Sequence, residues 1–288
     1  MDEHGNPAAA GLRRGVATGP AERLRSRALG AWDALLELAD GRPDLGVLAD
    51  LGSWPERPVL ERLLAQARGG PRGGSGAGRG ARVDHSRAGR EEILAALAEA
   101  RVRVRGALDE TDADPRMALA ELDSALGPLP LLTQIHAMGH ELALAALRLP
   151  AGPGAAPVPE AVTDAGVAAL VDVVGALAHR QGLRAAAGVW GGGTRGWTFR
   201  ADPDGWTTEQ GAGGVPGIEG AAATVLAVPS GRSALPALIA RGEIRLHRIG
   251  GLMALAPLVE QVPGLPGGAL LRRTVGVVGL LGRLPGMR

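Results

Sequence analysis

The apolar residues of this chain change their period once, and that change limits its folds more than any other feature. From Leu24 to Leu177 they recur every three or four positions, the spacing of a helix face; after Gly182 they alternate in short runs broken by glycine, the spacing of strands. Helices first and strands afterwards predict an α+β chain, because a doubly wound sheet would need the two to alternate. The expected division is a disordered leader over 1–19, a helical bundle over 20–183, a small α/β domain over 184–268 and a tail over 269–288.

Within the first part, Leu24, Ala28, Trp32, Leu35 and Ala39 mark a helix that opens after Pro20. Ser53-Trp54-Pro55-Glu56 reads as a capping box for a second helix, Val59 to Arg68, which stops at Gly69-Gly70. Ser86 is placed to cap a long helix with Ile93, Leu97, Ala100, Val104 and Leu108 on one face. A helical piece from Met117 to Leu126 leads to another helix between Pro128 and Pro150, and Val167, Leu170, Val171, Val174 and Leu177 mark the last. Residues 69–82 hold Gly and Arg without an apolar anchor, so a mobile loop is expected there. With three Arg and no aromatic residue, it reads as a solvated loop rather than a nucleic-acid tail.

After Gly182, short strands are predicted at Val189-Trp190, at 196–201 and at 205–210, the last two joined by the turn residues Asp202 to Gly205. A strand over 223–228, a short helix ending at Gly242 and a strand over 243–249 follow. Trp190, Trp197, Phe199 and Trp206 gather in this part, and rings of that size in a small sheet need a partner surface, which the bundle would supply.

Composition narrows the function classes. Core filling falls on Leu, Val and Ala, since the chain has 1 Phe, 0 Tyr and 5 Trp. The absence of Cys excludes disulfides, thiolate metal sites and a Cys nucleophile. With 31 basic and 30 acidic residues there is no general electrostatic case for nucleic acid. The acidic start is not a signal peptide, and no run approaches the ~18 apolar residues of a membrane span, so a cytoplasmic protein without a transmembrane segment is expected. The apolar, Arg-dotted tail from Ala269 is expected to pack on the C-terminal domain rather than on a membrane surface.

One constellation carries possible chemistry. His136 and His140 sit four residues apart on a predicted helix, so both imidazoles project from one face. The spacing leaves two readings open: half of a divalent-metal site of the kind built on bundle helices, or a pair of structural histidines. Gln134 and Glu141 are close in sequence, but Glu141 is turned roughly 100° from His140 and reads as a solvated carboxylate. His85 borders the mobile loop, His179 ends a helix and His247 lies in a strand. Residues 191–196 lack the Gly-Lys-Ser/Thr ending of a phosphate loop, Ser230 lacks the frame of a nucleophile elbow, and Arg232 is a surface arginine or an anion contact.

Taken in order, the Trp54 segment leading into Val59–Arg68, the stretch Gln134–Pro150 and the stretch Val225–Ile249 resemble the DinB-like superfamily. The likeness is closest to its actinobacterial branch, the mycothiol-dependent maleylpyruvate isomerase family. The resemblance implies a DinB-like four-helix bundle followed by a small sterol-carrier-like α/β domain. It implies a divalent metal, usually zinc, held by His, Glu and His, and mycothiol as a thiol cofactor that adds to an unsaturated diacid during cis–trans isomerisation. On this sequence the family's last His falls on His140 and its Glu on His136, a replacement that can still ligate. Its first His falls on Arg62, whose guanidinium is no ligand and repels a cation, and an Asp often present falls on Ala143. Two expectations follow. One is a non-catalytic, degenerate family member that binds a small-molecule ligand in a binding or regulatory role. The other is a metal- and thiol-dependent isomerase or transferase whose third ligand comes from His85, substrate or water.

Overall fold

The structure, a computed structural model, describes residues 13–52, 88–122, 124, 126–150, 154–228 and 233–261. The chain enters it through a two-residue strand, β1 (Arg13–Arg14), and a 3-10 turn (Gly15–Thr18), so ordered structure begins inside the stretch expected to be a leader. Helix α1 (Ala21–Asp40) follows and buries Leu24, Trp32, Leu35 and Ala39, the face its spacing marks. A 3-10 turn (Gly46–Leu48) runs into α2 (Ala49–Gly52). Helix α3 (Arg90–Ala113) buries all five expected face residues, Ile93, Leu97, Ala100, Val104 and Leu108. Its N-cap position is Gly89, with no side-chain cap. Ser86, the Ser53 capping box, the Val59–Arg68 helix and the 69–82 loop lie outside the described residues, as do Trp54 and the tail from 262.

The helical piece expected from Met117 to Leu126 is shorter. Helix α4 (Pro115–Leu119) starts on Asp114, whose side chain accepts the Arg116 amide at 2.9 Å. The chain then forms β2 (Glu121–Leu122), turns at Gly127 with φ +89°, and returns as β3 (Leu129–Pro130), antiparallel to β2. Ala120, at φ −60° and ψ 119°, has already left helical geometry, and the left-handed Gly127 turns the chain back so that residues 121–122 pair with β3 instead of extending the helix.

Helices α5 (Leu131–Ala146) and α6 (Glu160–Arg180) complete the helical layer. Gly139 and Gly166 let them approach closely; a Cβ on Gly139 would stand 2.7 Å from the Ala165 carbonyl oxygen. Helix α6 is buried nearly all round because it has partners on both sides, α1 and α5 on one and the sheet on the other. That position accounts for its apolar composition. By length and composition alone it is the one described helix able to cross a membrane, and 78% of its apolar window is buried inside the protein.

The sheet comprises β4 (Ala185–Gly191), β5 (Thr194–Asp202), β6 (Gly205–Gln210), β7 (Gly217–Gly220) and β8 (Ile244–His247), with β1 on its edge, in the order β1-β6-β5-β4-β7-β8. The β1–β6 and β4–β7 pairs are parallel and the others antiparallel. The stretch expected as a strand over 223–228 is instead helix α7 (Ala222–Ala227). The place beside β4 is filled by Gly217–Gly220, and α7 turns Val225 and Leu226 into the core against α6. Helix α8 (Leu235–Ala240), then β8, α9 (Ile249–Leu252), a 3-10 turn and α10 (Ala256–Gln261) finish the described chain. The chain is therefore α+β, and buried residues from the helices and from the sheet belong to one hydrophobic cluster.

Candidate functional site

The surface that α6 turns to the sheet carries two buried carboxylates, and those two organise the site. Trp197 on β5 and Trp206 on β6 point inward, 5% and 2% exposed, and a buried indole N–H needs an acceptor. Asp164 and Asp172 supply it. One oxygen of Asp164, Oδ1, accepts from Trp197 Nε1 at 2.9 Å, the Thr194 hydroxyl at 2.8 Å and the Arg195 amide at 2.8 Å. Asp172 Oδ1 accepts from Trp206 Nε1 at 3.0 Å, the Thr208 hydroxyl at 2.6 Å and the Val16 amide at 3.1 Å. Each carboxylate thus receives one indole, one threonine and one backbone donor, the charge-assisted arrangement that allows a buried carboxylate.

The second oxygen of Asp172 faces His136. Oδ2 lies 3.7 Å from Nδ1, beyond hydrogen-bond range, and Oδ2 and both ring nitrogens are buried without a partner. Burial lowers the His136 pKa below its ordinary 6.5; Asp172 pulls the other way and the Arg27 charge adds to the lowering. The imidazole is therefore neutral at pH 7. Arg27 reaches in from α1, its guanidinium 4.4 Å over the Trp197 ring and its Nε buried without a partner. Burial lowers its pKa, with Asp164 and Asp172 opposing and Arg195 adding to the effect.

His140, one turn further along α5, has a side chain 20% exposed; its Nδ1 is 3.9 Å from Glu141 Oε1 and its Nε2 is buried without a partner. The neighbouring His140 lowers the Glu141 pKa. Thr133 shares this stripe of α5, seven residues before His140, and its hydroxyl is also buried and unpartnered. The two imidazoles suit a divalent metal, having buried nitrogens free to ligate. Among the described residues, however, no three His, Asp or Glu side chains form a metal-ligating group. Arg62 and His85 lie outside the described residues.

No family profile, curated protein or solved structure matches this chain. The remaining candidates have local explanations. Gln134 donates to the carbonyls of Leu122 and Leu129 and ties the β2–β3 ribbon to α5. His179 Nδ1 meets the Asp202 carbonyl at 2.9 Å beside the Trp206 ring, and His247 Nε2 meets Glu219 at 2.7 Å. Trp190 stands apart from Trp197 and Trp206, half-buried against His247 rather than facing the helices. Arg232 is outside the described residues.

Sequence reasoning passed over Arg27, Asp164 and Asp172. The signal was two acidic residues inside an otherwise apolar helix, followed by buried-type tryptophans in the strands. Together with His136 they form a buried polar seam that holds a neutral imidazole, a carboxylate oxygen without a partner and a guanidinium.

Proposed function

We propose that this chain is a non-catalytic, degenerate member of the DinB-like and mycothiol-dependent maleylpyruvate isomerase family, a cytoplasmic protein whose four-helix bundle binds a small molecule in a binding or regulatory role. The observation that carries this reading is Arg27. A half-buried guanidinium close enough to oppose a proton on His136 opposes a metal cation by the same force. By the resemblance, Arg62 adds a second cation where the family has a ligand.

Calorimetric titration of zinc tests this. Wild-type protein is expected to bind zinc weakly or not at all. Arg62→His, which supplies a third imidazole, should raise affinity by a factor on the order of a hundred or more, and His140→Ala in that background should abolish the gain. Tight, stoichiometric binding by wild type would overturn the reading.

A second reading, a metal- and thiol-dependent isomerase or transferase, is favoured by a different observation. His136 and His140 both keep Nε2 buried and unpartnered while a carboxylate approaches Nδ1, at 3.7 and 3.9 Å. Outer carboxylates orient ligating imidazoles by accepting their second N–H, a bond these two pairs would form on drawing closer. A zinc ion bound there would supply the Lewis acidity that draws a thiol such as mycothiol towards thiolate. The same titration separates the two readings.

A further inference from the structure

Among the elements that wall the seam, Arg13–Thr18 is the shortest. Strand β1 lies along β6 through two residue pairs, Arg13 with Gly205 and Arg14 with Trp206. The Arg13 guanidinium holds both oxygens of Asp202, at 2.7 and 2.8 Å, in a half-exposed ion pair. The Arg14 guanidinium stands 5.7 Å over the Trp206 ring. Beyond these, Val16 donates its amide to Asp172, and Val16 and Ala17 bury their side chains where the turn meets α5, α6 and β6.

Gly15 fixes how close this segment runs. Its φ is +55°, and a Cβ there would stand 2.0 Å from Asp172 Oδ1 and 2.1 Å from Trp206 Nε1. The backbone therefore passes directly over the Asp172–Trp206 hydrogen bond, with no room for any side chain. On the far side of the same carboxylate, Oδ2 faces His136. One carboxyl group separates the segment from the buried imidazole.

We propose that Arg13–Thr18 is a releasable cover over the His136–Asp172 pair. Seated, it gives Asp172 its third donor and closes the seam; lifted, it exposes the carboxylate and the ring behind it. The other walls, α1, α5, α6, β5 and β6, are longer elements of the shared core, to which the cover contributes only Val16 and Ala17, and a short segment of this kind opens at a fraction of the global unfolding cost. The cover acts on access to the seam, so it stands whether the seam takes a small molecule or a metal.

Acylation of histidines by diethyl pyrocarbonate, read residue by residue by peptide mass spectrometry on the full chain, tests this. His247, with a side chain 42% exposed, is the internal standard. In wild type His136 should react at least about ten times more slowly than His247, as a group reached through local opening does. Gly15→Ala, which unseats the segment, should raise the His136 rate about ten-fold or more and leave His247 unchanged. Arg13→Ala, which removes the ion pair without adding bulk, should raise it a few-fold. Circular dichroism establishes folding in each case, and if Gly15→Ala does not fold, Arg13→Ala decides alone. An unchanged His136 rate in the folded variant, or a wild-type His136 as reactive as His247, would overturn the proposal.

Discussion

His136 is 3% exposed and has Arg27 among its charged neighbours, so protonating it in the folded protein is opposed by lost hydration and by a like charge. Its folded pKa lies below the unfolded value of about 6.5. With that sign, the unfolded chain binds the proton more readily, so the stabilising effect is complete above about pH 6.5 and is lost as pH falls from there through the folded pKa. The melting temperature of protein kept metal-free with a chelator should therefore drop between about pH 7 and pH 5. The drop should be smaller in His136→Gln, which has no proton to take up in that window. Equal slopes for the two proteins would place the ring in water. The same residue shows what local sequence leaves hidden: its spacing from His140 was legible, but its actual neighbours, Asp172 and Arg27, come from helices 36 residues after and 109 residues before it. Only packing brings them together.

At the scale of elements, α1 and α3 were legible because burial of one stripe decides them, and α6, buried nearly all round, was legible from its long apolar composition. Elements fixed by competition were not. The run 223–228 is apolar enough for a buried strand, yet Gly217–Gly220, with little side chain to announce it, takes the place beside β4. Its glycine is required there: a Cβ on Gly217 would stand 2.5 Å from the Gly188 carbonyl oxygen on β4. The crossing of α5 and α6 is set in a similar way. Gly139→Ala should gain about 1 kcal/mol of helix propensity. Its new methyl group would sit 2.7 Å from the Ala165 carbonyl oxygen, a backbone atom that cannot rotate away. Forcing the helices apart costs about 1–3 kcal/mol, so the expected net effect is destabilisation despite the better helix former. Urea titration reads this directly. A more stable Gly139→Ala protein would mean that the helices separate freely at that point.

For the whole molecule, the decisive element is α6. It is the last helix of the first part and the floor on which the sheet rests, so a boundary at 183–184 separates texture without separating cores. The ties cross in both directions: Asp164 and Asp172 hold Trp197 and Trp206, and β1, from the N-terminal end, closes the edge of a sheet made by the C-terminal half. A protein built in this way should unfold as one cooperative unit. Far-UV circular dichroism follows mainly the helices, while tryptophan fluorescence is weighted towards the sheet through Trp190, Trp197 and Trp206. The two signals should give the same midpoint and the same denaturant slope in guanidinium. The slope should also match the surface of a domain this size rather than that of its helical part alone. If the fluorescence transition came first and left the helical signal intact, the sheet would be a separable unit. The Asp–Trp contacts would then be a docking surface between two cores instead of the interior of one.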